Sequence, residues 1–534
     1  MSSPSDYHLP LAVQMSKFYR RKIRIWIFSY LEPVDLVRAS RVCRGFRNLC
    51  FDGQLWMHLD VSEICSEASA DTVVKIALSA GPFIRSLRLC GCIQTEILEN
   101  ADGIAAACKN LLGASLQGCQ NLQIPTLHSL IQTNLRLTHL NLASMTSVSN
   151  TTCQIISENC TQLESLNVSA CQYMDAIGVQ TVVQGCHKLK ELRAGEIRGF
   201  DSLDVAKAIF QTNMLECLVL SGCDDLTDES FKTMIRGFVI PETDNLTDGT
   251  IVPSRKLRHL DVSRCKRLTT DSVKVLGRLV PTLEGLQLSG CPALTDAALQ
   301  PILASTPHLT TLGLDYLSKL TNDLLSTHLA KSPCIETLQH VSISNCGNIG
   351  DDGVLPLIEK CANIKTMLMD GTKVSDLVLT KAANMVRIRA AGKSSGSSYP
   401  SIGLKLVVFD CPFVTWAGIR DVLIWNAEIS RPPNDETMPP KEVIGLVGSY
   451  LWHKTVEQHT QHVLRGDFAA ARKLGRKWAD HMQSIEQARA TGAGRHRERH
   501  VAGGSQRVQV YEEVSMTRTR LRYPMIQAVN CVIM

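Results

Sequence analysis

A repeat of the form L-x-x-L-x-L-x-x-C organises this 534-residue chain. Residues 215–223 read LECLVLSGC, and residues 283–291 read LEGLQLSGC. The frame begins at Ile84, Leu111, Leu137, Leu163, Leu189, Leu215, Leu257, Leu283, Leu309, Leu338, Ile364 and Gly403. Seven of the eleven steps are 26 residues long, which chance apolar spacing would not produce. Two long steps contain Pro/Asp/Thr-rich and Gly/Ser-rich segments, so residues 239–254 and 391–401 are predicted to be insertion loops.

Each repeat unit combines the periodicity of a strand with that of a helix. Positions three and five after the first frame residue are apolar and alternate with polar residues, as at Leu260 and Val262, which predicts a short strand. Positions sixteen, nineteen and twenty are apolar, as at Leu127, Leu130 and Ile131, which predicts one stripe of a helix. One such unit cannot bury its apolar face alone. We therefore expect an α/β solenoid with parallel inner strands and outer helices.

The frame resembles the cysteine-containing subtype of leucine-rich repeat over residues 84–428. The resemblance implies a right-handed horseshoe. In repeat five, Ala194 and Ile197 replace the second strand residue and the cysteine. Met145, Leu317 and Thr372 occupy the cysteine position of repeats three, nine and eleven. These departures are expected to weaken single turns and to leave the architecture intact.

Most of the twenty cysteines follow from the repeat. Eight end the frame, at Cys92, Cys119, Cys171, Cys223, Cys265, Cys291, Cys346 and Cys411, and four more lie three residues before it, at Cys108, Cys160, Cys186 and Cys361. We interpret them as small buried side chains that fill the turns. A zinc site would need paired thiolates of C-x-x-C type, which the sequence lacks, so no metal and no cofactor are predicted.

Nothing in the sequence favours catalysis. G-x-S-x-G, P-loop and H-E-x-x-H motifs are not found. His139, His259 and His340 share one strand position, but several strands about 4.8 Å apart separate them, so a shared metal site is not expected. The carboxylate pairs Asp224-Asp225 and Asp351-Asp352 precede predicted helices, where capping explains them.

Charge and cysteine content restrict the partners and the compartment. Residues 431–534 carry 16 Lys/Arg against 10 Asp/Glu, which leaves 40 basic and 41 acidic residues in the first 430. The main body is thus neutral, and neither nucleic acid nor membrane is an expected partner. The chain does not open like a secretory signal peptide, and no membrane-spanning run is evident, so we expect a reducing compartment, cytoplasmic and/or nuclear.

Residues 26–60 read WIFSYLEPVDLVRASRVCRGFRNLCFDGQLWMHLD, a pattern that differs from that of the repeats. Pro33 and Asp35 separate two predicted helices, and a third short element follows. A unit this small can bury only part of its apolar surface. We therefore expect an exposed apolar patch that binds a partner. The alternative is an N-terminal cap for the repeats.

This segment closely resembles the F-box, the helical module by which substrate receptors dock onto the Skp-type adaptor of a cullin-RING ubiquitin ligase. The resemblance implies an adaptor-facing and core apolar set of Ile27, Phe28, Leu31, Pro33, Leu36, Val42 and Cys43, with Trp56 closing the module. The F-box usually opens with Leu-Pro about seven residues before the Ile-Phe pair. Here Leu9-Pro10 is separated from Ile27 by sixteen residues, so residues 14–26 are interpreted as an insertion or a gene-model error.

An F-box followed by leucine-rich repeats resembles a substrate receptor of an SCF ubiquitin ligase. The resemblance implies a non-catalytic protein that holds a protein substrate on the concave strands. The predicted substrate-binding residues are His139, Asn141, Glu191, Arg193, His259, Asp261, Arg264, Asp315, Tyr316 and His340. A ubiquitin-independent scaffold or inhibitor that binds a protein partner is the alternative. A thiol hydrolase that uses one of the remaining cysteines is a weaker third hypothesis.

The predicted organisation therefore has five parts. Residues 1–25 form a flexible or inserted N-terminal segment, 26–62 the F-box-like module, and 63–83 a connecting helix or cap. Residues 84–428 form twelve repeats. Residues 429–534 are predicted to be a linker, one or two capping helices and a disordered basic tail.

Overall fold

The computed structural model describes eight stretches of the chain, residues 21–64, 69–89, 101–120, 122–237, 253–391, 399–428, 441–448 and 452–490. The predicted insertion loops and the basic tail lie mostly outside them. The chain divides into two compact units, Met1–Ala479 and Asp480–Met534. The described part of the second unit is the end of one helix, residues 480–490.

The strands of the described residues form one fourteen-stranded parallel sheet in which every strand pairs with the next one in the sequence. They are β1 His58–Asp60, β2 Ser86–Arg88, β3 Gly113–Ser115, β4 His139–Asn141, β5 Ser165–Asn167, β6 Glu191–Arg193, β7 Cys217–Val219, β8 His259–Asp261, β9 Gly285–Gln287, β10 Thr311–Gly313, β11 His340–Ser342, β12 Thr366–Leu368, β13 Ser401–Val407 and β14 Glu442–Val447. Equivalent repeat positions pair with each other, as Leu140 does with Leu166. This sequential order confirms the predicted leucine-rich-repeat solenoid.

The sheet extends beyond the predicted repeat limits of residues 84 and 428 at both ends. Strand β1 lies inside the segment predicted to be the F-box-like module, and β14 lies inside the predicted linker. Trp56, Leu59 and Val61 occupy the apolar positions of an additional frame and are buried. The frame therefore begins one unit earlier than predicted, with tryptophan in place of the first leucine.

Helices connect the strands and carry the predicted apolar stripe. The α-helices are α1 over residues 21–28, α2 Pro33–Ala39, α3 Arg44–Cys50, α4 Val61–Ile64, α5 Ala70–Ala80, α6 Ala101–Ala107, α7 Ile124–Thr133, α8 Asn150–Asn159, α9 Ala176–Gly185, α10 Leu203–Gln211, α11 Asp228–Arg236, α12 Thr270–Val273, α13 Asp296–Leu303, α14 Asp351–Lys360, α15 Asp376–Ala391, α16 Trp416–Ala427, α17 His453–Leu464 and α18 Phe468–Ala490. Leu127, Leu130 and Ile131 are buried on α7, as the periodicity predicts.

Irregular helices occur where repeats depart from the regular pattern. Four 3-10 helices are present in the described residues, Gly53–Trp56, Lys274–Leu276, Leu329–Lys331 and Pro333–Glu336, and one π-helix, Leu324–His328. The last two 3-10 helices and the π-helix follow β10 in the repeat that is 29 rather than 26 residues long. Alternative helical geometries accommodate the extra residues of that repeat.

A tight turn follows the repeat strands wherever the structure describes the next residues, and it explains the cysteine position. The residue before the cysteine position has positive φ in repeat after repeat, as at Ser144 (59°), which precedes Met145, and at Arg264 (62°) and Gly290 (74°). Each frame cysteine that the structure describes then donates its thiol hydrogen to a carbonyl of the preceding repeat. The seven Sγ to O distances are 3.1 to 3.3 Å, for Cys119, Cys171, Cys223, Cys265, Cys291, Cys346 and Cys411.

The replacement residues fill the same position. Met145, Ile197, Leu317 and Thr372 are all buried. Thr372 donates its hydroxyl hydrogen to Met369 O at 2.6 Å, within its own turn. Cys92 lies outside the described residues.

The paired carboxylates link neighbouring repeats. Asp351 and Asp352 lie in the first turn of α14, where negative charge is favourable, whereas Thr227 rather than Asp224 or Asp225 caps α11. Asp351 accepts hydrogen bonds from the backbone N and Oγ of Ser375 in the next repeat, at 2.7 and 2.5 Å. Asp225 accepts from Gly199 N of the preceding repeat at 3.1 Å, and Asp224 pairs with Lys266 at 3.2 Å. Because sequence spacing shows only local partners, it does not reveal these contacts across repeats.

The end of the sheet is covered by the helices after β14. Val463 of α17 and Ala471 of α18 pack with Ala427 and Val443 in one buried cluster. The Asn426 side chain also donates to Ile444 O at 2.8 Å and accepts from Ile444 N at 2.9 Å. An exposed strand edge invites association with other chains, and the Asn426 amide occupies part of this one.

Among the described residues, no helix is both long enough and apolar enough to cross a membrane.

Candidate functional site

The residues predicted from the F-box resemblance divide into a buried core and an exposed surface. Phe28, Leu36 and Trp56 are buried. The Trp56 indole donates from Nε1 to Cys50 O at 2.6 Å, and the Phe28 ring meets the Phe46 ring edge to face at 5.2 Å. These contacts hold the helices of the module together, so the three residues support the fold and offer little surface to a partner.

Ile27, Leu31, Val42 and Cys43 are exposed, and Pro33 is partly buried as the first residue of α2. The exposed fraction is 56% for Ile27 and 70% for Val42. Further exposed apolar side chains join them. We call Ile23, Trp26, Ile27, Tyr30, Leu31, Val42 and Phe46 the module patch.

Sequence reasoning missed Ile23, Trp26 and Tyr30, although a signal was available. With Ile27 and Leu31 they recur at helical spacing along one face. Trp26 and Tyr30 stack edge to face, with ring centroids 5.4 Å apart. Residues 21–26 are continuous with Ile27 in helix α1, and this part of the interpreted insertion therefore contributes to the patch. Residues 14–20 lie outside the described residues.

Seven of the ten predicted substrate-binding residues lie on strands. His139, Asn141, Glu191, Arg193, His259, Asp261 and His340 flank the buried central residue of β4, β6, β8 and β11. We call these flanking positions of all the strands the strand face. The register aligns His139, Glu191, His259 and His340 in one row, with other strands between them.

The other three predicted residues lie in the turns after the strands. Arg264 and Tyr316 are exposed residues with positive φ. Asp315 accepts hydrogen bonds from Ser289 Oγ at 3.2 Å, Ser344 N at 2.8 Å and the Ser342 hydroxyl. Burial raises the pKa of this carboxyl. Its acceptor capacity is used to join three repeats, so we do not retain Asp315 as a substrate contact.

Two other polar residues on the strand face also accept hydrogen bonds from backbone amides. Asp261 accepts from Ser263 N at 2.9 Å, and burial raises the pKa of Asp261. Asn141 accepts from Ala143 N at 3.1 Å. Sequence spacing shows that these side chains flank a strand, but it does not show that they also stabilise the following turn.

Ion pairs that sequence analysis did not identify run along the edge of the strand face. Lys190 pairs with Glu164 at 2.8 Å, and Arg258 pairs with Glu284 at 2.5 Å. Each pair joins adjacent strands. Because the side chains are partly exposed to solvent, each pair adds little to stability. Their main effect is to fix a pattern of alternating charge that a partner would meet.

A longer ion pair crosses one whole repeat. Arg264 reaches Glu196 at 3.2 Å although 68 residues separate them in the sequence. Gly222 lies between the two, and a Cβ atom there would lie 3.0 Å from Glu196 Cγ. The glycine therefore leaves room for this contact.

The described cysteines are poorly suited to nucleophilic catalysis. Cys217 occupies the strand-face row between Glu191 and His259, but it is buried, and desolvation raises the pKa of its thiol to about 11. Only Cys43 is exposed among the described cysteines. A protonated thiol is a weak nucleophile, so the Cys217 environment gives the thiol-hydrolase hypothesis no support. The described residues contain no group of three or more His, Cys, Asp or Glu arranged to hold a metal ion.

Comparison with known families matches both predicted parts of the chain. Residues 22–62 match the F-box-like family model, and residues 335–357 match the Leucine Rich repeat model. The second match covers most of one repeat between β10 and β12. These matches confirm that the chain combines an F-box-like module with leucine-rich repeats.

A curated relative carries the same kind of module. The chain is 23% identical over 159 residues to the SCF E3 ubiquitin ligase complex F-box protein pof2 of Schizosaccharomyces pombe. The match covers 29% of this chain and 34% of that protein. The chain thus matches only about a third of its relative's length.

Two solved structures are similar at low identity. The complex of Rad7 and Elc1 from yeast aligns at 15% identity with a TM-score of 0.39, covering 82% of this chain and 98% of that chain. An internalin from Listeria monocytogenes aligns at 12% identity with a TM-score of 0.34, covering 59% of this chain and 78% of that chain. These TM-scores are too low to carry an argument.

Proposed function

We propose that this chain is a substrate-recognition subunit of an SCF-type ubiquitin ligase, in which the F-box-like module binds a Skp-type adaptor and the repeats hold a protein substrate. The observation that carries the proposal is the module patch on a segment that matches the F-box-like family. The protein does no chemistry in this proposal. It raises the local concentration of the substrate near a recruited ubiquitin-conjugating enzyme.

The composition of the module patch supports a protein partner. Ile23, Trp26, Ile27, Tyr30 and Leu31 lie at helical spacing on and just after α1, and all are exposed. Burying a large apolar side chain gains about 1.5–3 kcal/mol before the costs of association. A helix with an apolar stripe of this kind suits a groove on another protein.

The adaptor assignment is tested by replacing Ile27 and Leu31 with aspartate. Burying two carboxylates in an apolar interface is strongly unfavourable, so we expect at least a hundredfold weaker binding of a purified Skp-type adaptor, measured by calorimetry. Both positions are exposed, so circular dichroism and the melting temperature should stay unchanged.

The matched control is Ile177→Asp, because Ile177 is equally exposed but lies on α9 within the repeats. It should bind the adaptor like the wild type. If wild-type protein at physiological abundance recovers neither adaptor nor cullin, the ubiquitin assignment fails and the scaffold hypothesis is favoured.

We further propose that the substrate contacts the strand face around β6 to β8. Glu191, Arg193 and His259 are partly exposed there, on strands that share one register. Burial lowers the pKa of His259, so its imidazole is neutral at physiological pH and offers both a donor and an acceptor. A partner would therefore meet opposite charges and a neutral ring within three strands.

Substrate binding is tested with the triple variant Glu191→Ala, Arg193→Ala, His259→Ala. Affinity enrichment with cullin activation blocked should recover at least tenfold less of the proteins that accumulate on the wild type, while adaptor recovery stays constant. Alanine at the partly exposed Lys207 and the exposed Glu229, both on helices, is the control and should leave recovery unchanged. Equal recovery by the triple variant would place the substrate elsewhere.

A further inference from the structure

A cleft lined with arginine lies beside the module patch. It has a volume of about 340 Å³ and is bordered by Ser40, Arg41, Cys43, Arg44, Arg47 and Thr72, among others. The end of α2, the start of α3 and the start of α5 supply these residues. We call it the arginine cleft.

The positive charge of the arginine cleft is only partly neutralised. Arg44 and Arg47 form no ion pair with an acidic side chain in the described part of the chain. The Arg47 guanidinium is positioned over the Phe51 ring, with Cζ 5.7 Å from the centroid. The Arg44 and Arg47 guanidinium groups raise the local positive potential of the cleft, which favours an anionic ligand.

Guanidinium geometry suits oxyanions such as carboxylates and phosphates. Arginine donates from a rigid planar fork that matches a carboxylate with two parallel hydrogen bonds. A cleft of about 340 Å³ has room for side chains of one short peptide segment. An acidic protein segment therefore fits both the size and the charge.

The arginine cleft is continuous with the module patch along the chain. Residues 41–44 are all exposed, and Val42 of the patch lies between Arg41 and Cys43 of the cleft. A protein that covers Val42 therefore also approaches Arg41 and Arg44. This continuity indicates that one partner contacts both surfaces.

We propose that the protein that covers the module patch also inserts a carboxylate-rich segment into the arginine cleft. The inference rests on the proposed function, since it takes the Skp-type adaptor as that partner. The apolar contacts would supply most of the affinity. The cleft would speed association by electrostatic attraction and fix the orientation of the bound adaptor.

The test compares wild-type protein with the variant Arg41→Glu, Arg44→Glu, Arg47→Glu. Adaptor association is followed by stopped flow at ionic strengths of about 0.1 M and about 1 M, where the Debye length is about 10 Å and about 3 Å. We expect association about tenfold slower for the variant at low salt, and a much smaller difference at high salt. The control Arg472→Glu, Lys473→Glu, Arg476→Glu makes the same change of net charge on exposed positions of α18 and should associate like the wild type.

Cys43 gives a second measurement that needs no variant. It lines the cleft, so bound adaptor should slow its alkylation at least tenfold, read for that peptide by mass spectrometry. Equal association rates for wild type and variant, or equal Cys43 labelling with and without bound adaptor, would overturn this inference and leave adaptor binding standing. If the wild type binds no adaptor, the proposed function itself fails.

Discussion

Substitution of Arg389 by alanine is expected to destabilise the C-terminal end of the sheet by about 3–5 kcal/mol. Arg389 donates from Nε to Glu442 at 3.0 Å and from Nη1 to Ala362 O at 3.1 Å and Ile364 O at 2.8 Å. Its Nη2 also donates to Gly403 O. One side chain therefore joins the repeats of β12 and β13 to strand β14.

The size of the expected effect follows from burial. The side chains of Arg389 and Glu442 are only 13% and 12% exposed. Removing the guanidinium takes a charged partner from a largely buried carboxylate and a donor from several carbonyls, which costs more than losing an exposed ion pair. Gly403 belongs to the same arrangement, because a Cβ atom there would lie 2.6 Å from a Glu442 carboxylate oxygen and 2.9 Å from Arg389 Nη2.

Hydrogen exchange of β13 and β14, followed in urea, measures the loss locally, because a solenoid need not unfold in one step. The control is Arg387→Ala, two residues away. Arg387 pairs with Glu428 at 3.2 Å and lies 4.9 Å from the Trp425 ring, but the paired side chains are 45% and 50% exposed. That variant should cost about 1 kcal/mol or less. Equal effects of the two variants would show that the buried pair has no special role.

The Arg389 arrangement also shows why part of the fold could be predicted from sequence and part could not. The strand and helix positions of the repeat follow from local periodicity, which a single sequence displays directly. The glycine at position 403, where the other repeats have leucine, isoleucine or, at Trp56, tryptophan, is explained by Arg389 and Glu442, which lie 14 and 39 residues away. Contacts of this kind depend on the register between repeats, so local patterns do not reveal them.

The candidate surfaces could likewise be predicted from the sequence only in part. The resemblance to the F-box selected a set of apolar residues in the module, but it did not separate buried Phe28 from exposed Ile27. That separation depends on how α1 packs, as the contact between Phe28 and Phe46 shows. On the repeats, the alternation along each strand predicted the strand-face positions. The hydrogen bonds that three serine residues donate to Asp315 could be identified only from the three-dimensional structure.

Acidification is expected to release the helices that cover the end of the sheet. His459 on α17 is 1% exposed, and its Nδ1 atom has no hydrogen-bond partner among the described residues. Burial, with a smaller contribution from His462, lowers the pKa of His459 to about 4 from 6.5. The folded protein therefore favours the neutral imidazole, and the unfolded chain takes up a proton at higher pH.

Linkage fixes the sign and the pH window of the effect. The contribution of neutral His459 to folding stability is fully present above the unfolded pKa of 6.5. It is lost as the pH is lowered towards the folded pKa of about 4. The difference between the unfolded and folded pKa of His459 corresponds to about 3 kcal/mol in the free energy of unfolding. Protection factors in α17, corrected for the intrinsic pH dependence of amide exchange, should therefore fall over this window.

The variant His459→Gln removes the titrating group and should lose most of this pH dependence. The control His462→Gln should retain it, because His462 is partly exposed and lies 3.7 Å from the Asp467 carboxylate. If wild type and His459→Gln lost protection over the same pH range, another group would have to control the release. If only His459→Gln retained protection at low pH, the release of the helices would be assigned to the buried imidazole and to the contact between α17 and the last strand.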